Sequence, residues 1–322
     1  MPTPVDSDAV LRPDLGLSVE EFDAVADLNG HIALQVLPVF ESALQNAEFG
    51  RIPIEALLQN PETIRAPGAL YNRGDWKFDK DSFATEEHGW EEPVDEREAK
   101  MYARYFDAEV VAAQRAQGIV LRAAEIRAAA LLFNAVTFSA TSITNEWDDY
   151  TNATPIDDVE ESVRRVWLAS GLWPNALIIN RLVFRNLRNC DQIIERINSQ
   201  GAGSATKPSD ITADMLARVF DLEKILVAGS PKNVANEAKD VSIAPIWSNE
   251  YAMTARVART NDLREPCIGR IIHWGEDGSQ IGGLFESYYS DERRSRIVRC
   301  RHDVDDKILY TESADLLSNI TT

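Results

Sequence analysis

A stretch without helix-breaking residues runs through the first half of the chain. There is no proline between Pro93 and Pro155, and Gly118 is the only glycine there. Apolar and alanine side chains recur at steps of three or four residues, the spacing of one helix face. The pattern predicts one helix from about Asp95 to Phe133, on the order of 55 Å long at 1.5 Å per residue. Such a helix overshoots a compact domain, so further layers or other subunits must lie beside it.

The segment before this helix is rich in acids and aromatic residues. Trp76 and Phe78 stand two residues apart, as side chains on one face of a strand do, and Phe83 and Trp90 follow a polar segment at 79–82. The pattern predicts a long β-hairpin that turns at 79–82. Its acids are too numerous for a core, so the hairpin is expected to project. Those acids are Asp79, Asp81, Glu86, Glu87, Glu91, Glu92, Asp95, Glu96 and Glu98.

Residues 1–48 show little apolar periodicity. The few apolar positions between Phe22 and Phe40 are interrupted by Gly30 and Pro38. We expect an arm with short helical pieces, which needs another surface to lie on.

Helices and strands alternate after residue 150. Thr154 and Pro155 are typical of a helix start, and Gly171 is typical of a helix end. The patterns predict an α/β module with a closing hairpin. Its predicted helices are 154–171, 182–187, 191–198 and 211–220, its strands are 175–179, 224–228, 251–257 and 268–274, its glycine-rich turn is 275–283, and the hairpin strands are 296–302 and 307–310 around a turn at 303–306.

Charge and composition limit the partners. The 33 Lys and Arg residues stand against 52 Asp and Glu residues, a formal charge of -19 that repels nucleic acid and anionic lipid. A broad DNA-binding surface is therefore not expected. No stretch approaches the roughly 18 apolar residues of a membrane helix, so no membrane contact is expected. The cysteines, Cys190, Cys267 and Cys300, form no paired motif, which favours a reducing compartment.

Motifs for catalysis or ligand binding are sparse. The four histidines are spread over four predicted elements, and neither a nucleophile motif nor a phosphate-binding loop is present. The sequence predicts no catalytic residue, no cofactor and no metal site. His88 among glutamates is a candidate cation ligand, and a solvated acidic loop is the favoured alternative.

Several short motifs follow one another in a particular order along the chain. They are Arg73–Trp76, the long helix, Gly171–Ile178, Met215–Asp221, Ile225–Ala228, Ile246–Trp247 and Gly269–Trp274. Their order, over about residues 60–320, resembles that in the major capsid proteins of tailed bacteriophages. The resemblance implies the phage-capsid fold, which encapsulins share, of the α+β class. The implied divisions are an N-terminal arm (1–48), an extended β-hairpin loop (49–94), a peripheral domain with a spine helix (95–149), an α/β axial domain (150–290) and a return to the peripheral domain (291–322).

The resemblance also implies a structural function. Such a protein assembles with itself, as pentamers and hexamers, into an icosahedral head that encloses double-stranded DNA without sequence-specific binding. A separate scaffolding protein is implied because no scaffolding segment fits before Arg51, and a portal and decoration proteins are further partners. The expected location is the virion, after assembly in the host bacterial cytoplasm. An encapsulin-like compartment shell and an acidic cytosolic α/β enzyme are the alternatives.

The arm, the hairpin and the long helix cannot all bury their apolar faces within one subunit, so closed symmetry among copies would cover them. The arginines at 293–301 form the one basic patch, for which the acidic hairpin of another subunit is the favoured partner, with a solvated face or a nucleic-acid site as alternatives. The candidate contact residues between subunits are Trp76, Phe78, Glu86, Glu87, Glu91, Glu92, Arg293, Arg294 and Arg296.

Overall fold

Two β-sheets organise the part of the chain that the structure describes. The computed structural model describes residues 10–11, 30–53, 56, 58–74, 79–102, 107–199, 207–236, 239–276, 278–279 and 281–322. In chain order the strands are β1 (Val10–Leu11), β2 (Val39–Ser42), β3 (Asn46–Arg51), β4 (Asp79–Ala84), β5 (Glu86–Asp95), β6 (Thr141–Ser142), β7 (Ala176–Asn180), β8 (Lys224–Ala228), β9 (Pro231–Asn233), β10 (Ile243–Pro245), β11 (Ala252–Ala255), β12 (Gly269–Trp274), β13 (Leu284–Ser290), β14 (Ser295–Ile308) and β15 (Ala314–Ser318). The α-helices are α1 (Ala33–Val36), α2 (Glu96–Tyr102), α3 (Ala108–Leu132), α4 (Pro155–Ser170), α5 (Arg181–Leu187), α6 (Asp191–Ser199) and α7 (Ala213–Val219). This mixture of packed helices and sheets confirms the α+β class.

The five-stranded sheet has the order β6-β15-β11-β7-β8 and lies between two apolar cores. Successive side chains of a strand point to opposite faces. Leu177 and Ile179 of β7 therefore enter the core formed with α4 to α7, whereas Ala176 and Ile178 enter the core shared with α1 and α3. Burial on both faces explains why this strand is a continuous apolar run.

Local sequence patterns correctly predicted both ends of α4, a helix that packs on this sheet. Helix α4 begins at Pro155 after the N-cap Thr154, and it ends at Ser170, before the C-cap Gly171, whose φ of 68° is left-handed. The N–H of Gly171 donates to the carbonyl of Trp167 at 2.8 Å. Glycine adopts this conformation without the cost of a Cβ.

The six-stranded sheet has the long strand β14 at its centre. One edge of β14 pairs with β13 and then with β12, and the other edge pairs with β5 over ten residues. The predicted hairpin with a turn at 303–306 is therefore wrong, because Asp305 and Asp306 pair with Ile272 and Ile271 inside the sheet. In the structure β13 and β14 form a hairpin, and its turn lies at residues 291–294.

The predicted β-hairpin with a turn at 79–82 is wrong. The segment 79–82 is part of strand β4, which pairs antiparallel with β3 in the register Asn46 to Ala84 and Arg51 to Asp79. After Thr85 the chain continues as β5, which joins the six-stranded sheet and does not project. The extended loop is therefore a β3–β4 ribbon, and residues 58–74 beyond it are exposed throughout.

The long helix is interrupted. Strand β5 leads into α2, and α3 starts anew after Asp107, whose backbone is extended at φ −81° and ψ 113°. The Asp107 side chain accepts a hydrogen bond from the N–H of Glu109 at 3.0 Å, as an N-cap does. The single helix predicted from Asp95 to Phe133 is thus wrong, and α3 alone is about 37 Å long. No helix in the described ranges is long and apolar enough to cross a membrane.

Residues 32–37 and strand β15 both contribute to the cores of their own chain. Ile32, Ala33, Val36 and Leu37 are all at most 4% exposed, so this part of the predicted arm is buried within the chain, whereas Leu34 and Leu44 are 42% and 60% exposed. Strand β15 lies in the five-stranded sheet, which splits the predicted division 291–322 between the two sheets. Residues 12–29 lie outside the described residues.

Candidate functional site

Acidic strand β5 lies beside the arginines of β14 in the same chain. Arg299 contacts Glu91 at 2.8 Å and Glu286 of β13 at 3.5 Å. Arg301 contacts Glu286 at 3.3 Å and Glu87 at 3.8 Å. These side chains form a continuous network across three strands, on the sheet face opposite to α3. Arg299 and Arg301 are 20% and 15% exposed, so two largely covered positive charges lie beside the acids of β5.

Several residues that the sequence predicts to contact another subunit form ion pairs within this chain. Glu92 pairs with Arg115 at 3.6 Å and Arg296 pairs with Glu109 at 3.1 Å. Together with Glu87 and Glu91, these residues have partners within their own chain. Sequence patterns had placed the acids against a neighbouring copy, because the partner of an edge strand is not encoded locally.

Three predicted residues have no such partner. Glu86, Arg293 and Arg294 are exposed and form no ion pair with any residue that the structure describes. Arg293 lines a surface groove with Asp95 and Glu98 at the start of α2. Trp76 and Phe78 lie outside the described residues.

The base of the extended loop is fixed to β14. Lys307 contacts the Asp81 carboxylate at 2.7 Å and donates to the carbonyl of Ser82 at 2.9 Å. The N–H of Ala84 donates to Asp305 at 3.1 Å. Burial would raise the pKa of Asp81, but the hydrogen bonds from Lys307 and from the Ser82 N–H outweigh it and hold that pKa below its usual value. Partial burial raises the pKa of Asp305.

A second anchor lies at the other strand of the ribbon. Arg51 donates to the carbonyl of Leu309 and stands 5.3 Å from the centre of the Tyr310 ring. The Tyr310 hydroxyl donates to the carbonyl of Ile52 at 3.3 Å. Both strands of the ribbon are therefore held at the end of β14, and only the segment beyond them extends away.

Glu125 of α3 joins three parts of the chain. Its carboxylate accepts from the N–H groups of Ile32 and Ala33 at 2.9 and 2.8 Å and from the Trp247 indole at 2.5 Å. The residue is only 1% exposed. Sequence inspection missed it, although a glutamate between the buried Ala124 and Ala128 is an anomaly on an alanine-rich helix face.

Two histidines face each other across β5 and β14. His88 and His302 are register partners, and their ring centres are 6.1 Å apart. Burial and the nearby Arg127 charge lower the pKa of His302 to about 3, and the same two causes lower the pKa of His88. Neither ring nitrogen of His302 has a hydrogen-bond partner among the described residues. Both imidazoles are therefore neutral at pH 7, beside the Arg127–Asp306 pair at 2.9 Å.

The cysteines are unsuited to nucleophilic chemistry. Cys190, Cys267 and Cys300 are all fully buried. Burial raises the pKa of Cys190 and of Cys300 to about 12, so each is a thiol at physiological pH. Within the described ranges, no three His, Cys, Asp or Glu side chains are grouped closely enough to hold a metal ion.

Comparison with known proteins identifies the fold. No protein-family model and no curated protein matches the sequence. Among solved structures, a phage-related protein from Bordetella bronchiseptica RB50 is 21% identical with a TM-score of 0.69, covering 97% of this chain and 98% of that one. The capsid of cyanophage P-SCSP1u is 9% identical with a TM-score of 0.58, covering 88% and 86%. A virus-like particle from Pyrococcus furiosus is 12% identical with a TM-score of 0.56, covering 94% and 98%. The chain therefore has the phage-capsid fold that its motif order predicted.

Proposed function

We propose that the protein is the major subunit of a tailed-phage head, assembling as pentamers and hexamers into an icosahedral shell around double-stranded DNA. The observation that carries the proposal is the extended loop on a capsid-type fold. Ile64, Leu70 and Tyr71 are 80%, 84% and 71% exposed. Large apolar side chains in water are unfavourable, and a neighbouring subunit would cover them.

The negative charge of the chain fits a protein that encloses DNA without binding it. A formal charge of -19 repels a polyanion, so a shell of such subunits would surround DNA without adhering to it. A scaffolding protein, a portal and decoration proteins belong to the same proposal, as does a location in the virion after assembly in the host cytoplasm. The chain would act as a structural protein and not as an enzyme.

Particle formation tests this function. The full chain is expressed alone and with the products of neighbouring genes, and the material is viewed by negative-stain microscopy and weighed by light scattering. We expect closed shells. A uniform monomer or dimer under every condition contradicts the proposal.

A second candidate is an encapsulin-like compartment shell. The fold is compatible with it, since the solved structures of this fold include a virus-like particle as well as a phage capsid. Particles isolated from the native host distinguish the two candidates, since a phage head contains long double-stranded DNA and a compartment contains a protein cargo. The acidic α/β enzyme has the least support, and saturable binding of a small molecule would revive it.

A further inference from the structure

A cavity lies between α1, α3 and the six-stranded sheet. Its volume is about 410 Å³, within the range of small-molecule sites. It occupies the gap between the core shared with α1 and the core beneath the first half of α3. Most of its wall is apolar, with contributions from Leu34, Leu121, Ala124, Ile271 and Val304. Leu34 is also 42% exposed, so the cavity has access to solvent beside α1.

A buried histidine without a hydrogen-bond partner faces this cavity. His302 lies on β14 between Cys300 and Val304, and alternate residues of a strand share a face. Cys300 and Val304 belong to the two cores on either side of the gap, so the imidazole of His302 enters the gap itself and lines the cavity. His302 is 3% exposed, and neither of its ring nitrogens has a partner among the described residues. A buried polar group of this kind is stabilised by any molecule that pairs with it.

Arg127 and Asp306 add one donor and one acceptor to the same wall. The Nε of Arg127 donates to Oδ2 of Asp306 at 2.9 Å. The Nη2 of Arg127 and Oδ1 of Asp306 are buried and have no partner in the described part of the chain. Glu125 also lines the cavity, but its carboxylate already accepts three hydrogen bonds. The polar part of the wall is therefore concentrated around His302 and the Arg127–Asp306 pair.

These groups favour an uncharged ligand. An anion would lie beside Asp306 and Glu125, and a cation would lie beside Arg127, so either would be buried next to a like charge. The neutral imidazole of His302 offers one donor and one acceptor, and a hydroxyl group is a donor and an acceptor at once. Water is a poorer occupant, because the apolar part of the wall offers it no hydrogen bonds.

We propose that this cavity binds a neutral, largely apolar small molecule through a hydroxyl group that pairs with His302. The apolar part of the ligand lies against Leu121, Ala124 and Ile271. All of these residues belong to one chain, so the site is independent of shell assembly and goes beyond the proposed function. A ligand in this position contacts α1, α3 and β14 together, and its binding stabilises the folded chain by mass action.

Binding of 2-naphthol to the full chain tests the site, with naphthalene as the probe that lacks the hydroxyl group. Equilibrium dialysis measures both affinities in the original protein and in His302→Phe, which keeps a ring and removes its nitrogens. We expect saturable binding of 2-naphthol. The ratio of the affinity for 2-naphthol to that for naphthalene should fall about 3- to 10-fold in His302→Phe, the effect of one hydrogen bond.

A second variant tests the location. Ala124→Leu places a larger side chain in the cavity and should weaken binding of both probes about tenfold or more. The matched control is Ala130→Leu, at an exposed residue of the same helix that does not line the cavity, and it should leave both affinities unchanged. Urea midpoints show whether each variant folds. If His302→Phe does not fold, the comparison of the two alanine variants decides.

Each contrary result removes a definite part of the proposal. Absence of saturable 2-naphthol binding shows that the cavity holds water only and overturns the site. An unchanged affinity ratio in folded His302→Phe overturns the hydroxyl contact. Equal losses of binding in Ala124→Leu and Ala130→Leu overturn the location. Shell formation is not involved in any of these measurements, so the proposed function stands or falls separately.

Discussion

Glu125 binds three donors with one buried carboxylate, so we expect its replacement to be costly. Glu125→Gln keeps one accepting oxygen and turns an NH₂ group toward a donor. The free energy of unfolding should fall by about 1–3 kcal/mol, as is usual for a buried group that loses its partner. Urea denaturation measures it. Glu160→Gln on the exposed face of α4 is the matched control and should change stability by less than about 0.5 kcal/mol. Equal midpoints for both variants would show that Glu125 holds nothing together.

His302 makes stability depend on pH. Its pKa is about 3 in the folded protein against 6.5 for an ordinary histidine, so below pH 6.5 only the unfolded chain takes up the proton. Stability is therefore present above pH 6.5 and is lost as the pH falls toward 3. Between pH 7 and pH 5 the loss is about 2 kcal/mol for this one group. His302→Phe should remove that share of the loss, which urea midpoints at the two pH values measure. An unchanged pH dependence in the variant would refute the assignment.

The extended loop depends on a few contacts at the end of β14. Lys307→Ala removes the partly buried contact with Asp81 and the bond to Ser82, so we expect strand β4 to open more often. Hydrogen exchange of the β4 amides should become several-fold faster. The control is Lys80→Ala, because Lys80 meets Glu48 at 3.6 Å with both side chains mostly in water, where ion pairs contribute little. Equal exchange rates of the β4 amides in both variants would show that Lys307 does not hold strand β4 in place.

Elements with local patterns were predictable, and elements that depend on distant partners were not. Thr154, Pro155 and Gly171 determine the ends of α4 through their own backbone preferences. The acids at 303–306 suggested a turn, yet Arg127 pairs with Asp306 and the backbone of Ala84 with Asp305, from far along the sequence. Equally, nothing in β5 itself indicates that Arg299 and Arg301 neutralise it. The order of motifs predicted the fold class, whereas most of the ion-pair partners at the candidate site could be identified only from the structure.

Assembly of the whole molecule should respond to salt. Glu86, Arg293 and Arg294 are the predicted contact residues without an ion pair inside the described chain, and exposed charges act over about 8 Å at physiological salt. Glu86→Arg should slow assembly measured by light scattering, and adding Arg293→Glu and Arg294→Glu should partly restore it. Strictly additive effects would exclude a contact between these residues. High salt should slow the original protein and leave the Glu86→Arg variant unchanged.

Covalent joining of subunits is not expected. Lys80 lies in the base of the ribbon beside Glu48, rather than at a tip that reaches another copy. Purified particles should therefore give one band at the subunit mass of 35.9 kDa on a denaturing gel. Higher bands that disappear with Lys80→Ala would reverse this expectation, and Lys239→Ala is the control for a general effect of losing a lysine.

The continuity of β4 with β5 determines how the molecule resists mechanical force. Strand β4 continues through Thr85 into β5, so a pull on the extended loop reaches β5, which lies beside β14 over ten paired residues. Antiparallel hydrogen bonds run perpendicular to the strands, so an axial pull loads these bonds together in shear instead of opening them one by one. In a shell under internal pressure, tension passed between neighbours through their loops would be spread along the whole of β14 and from there into β12 and β13.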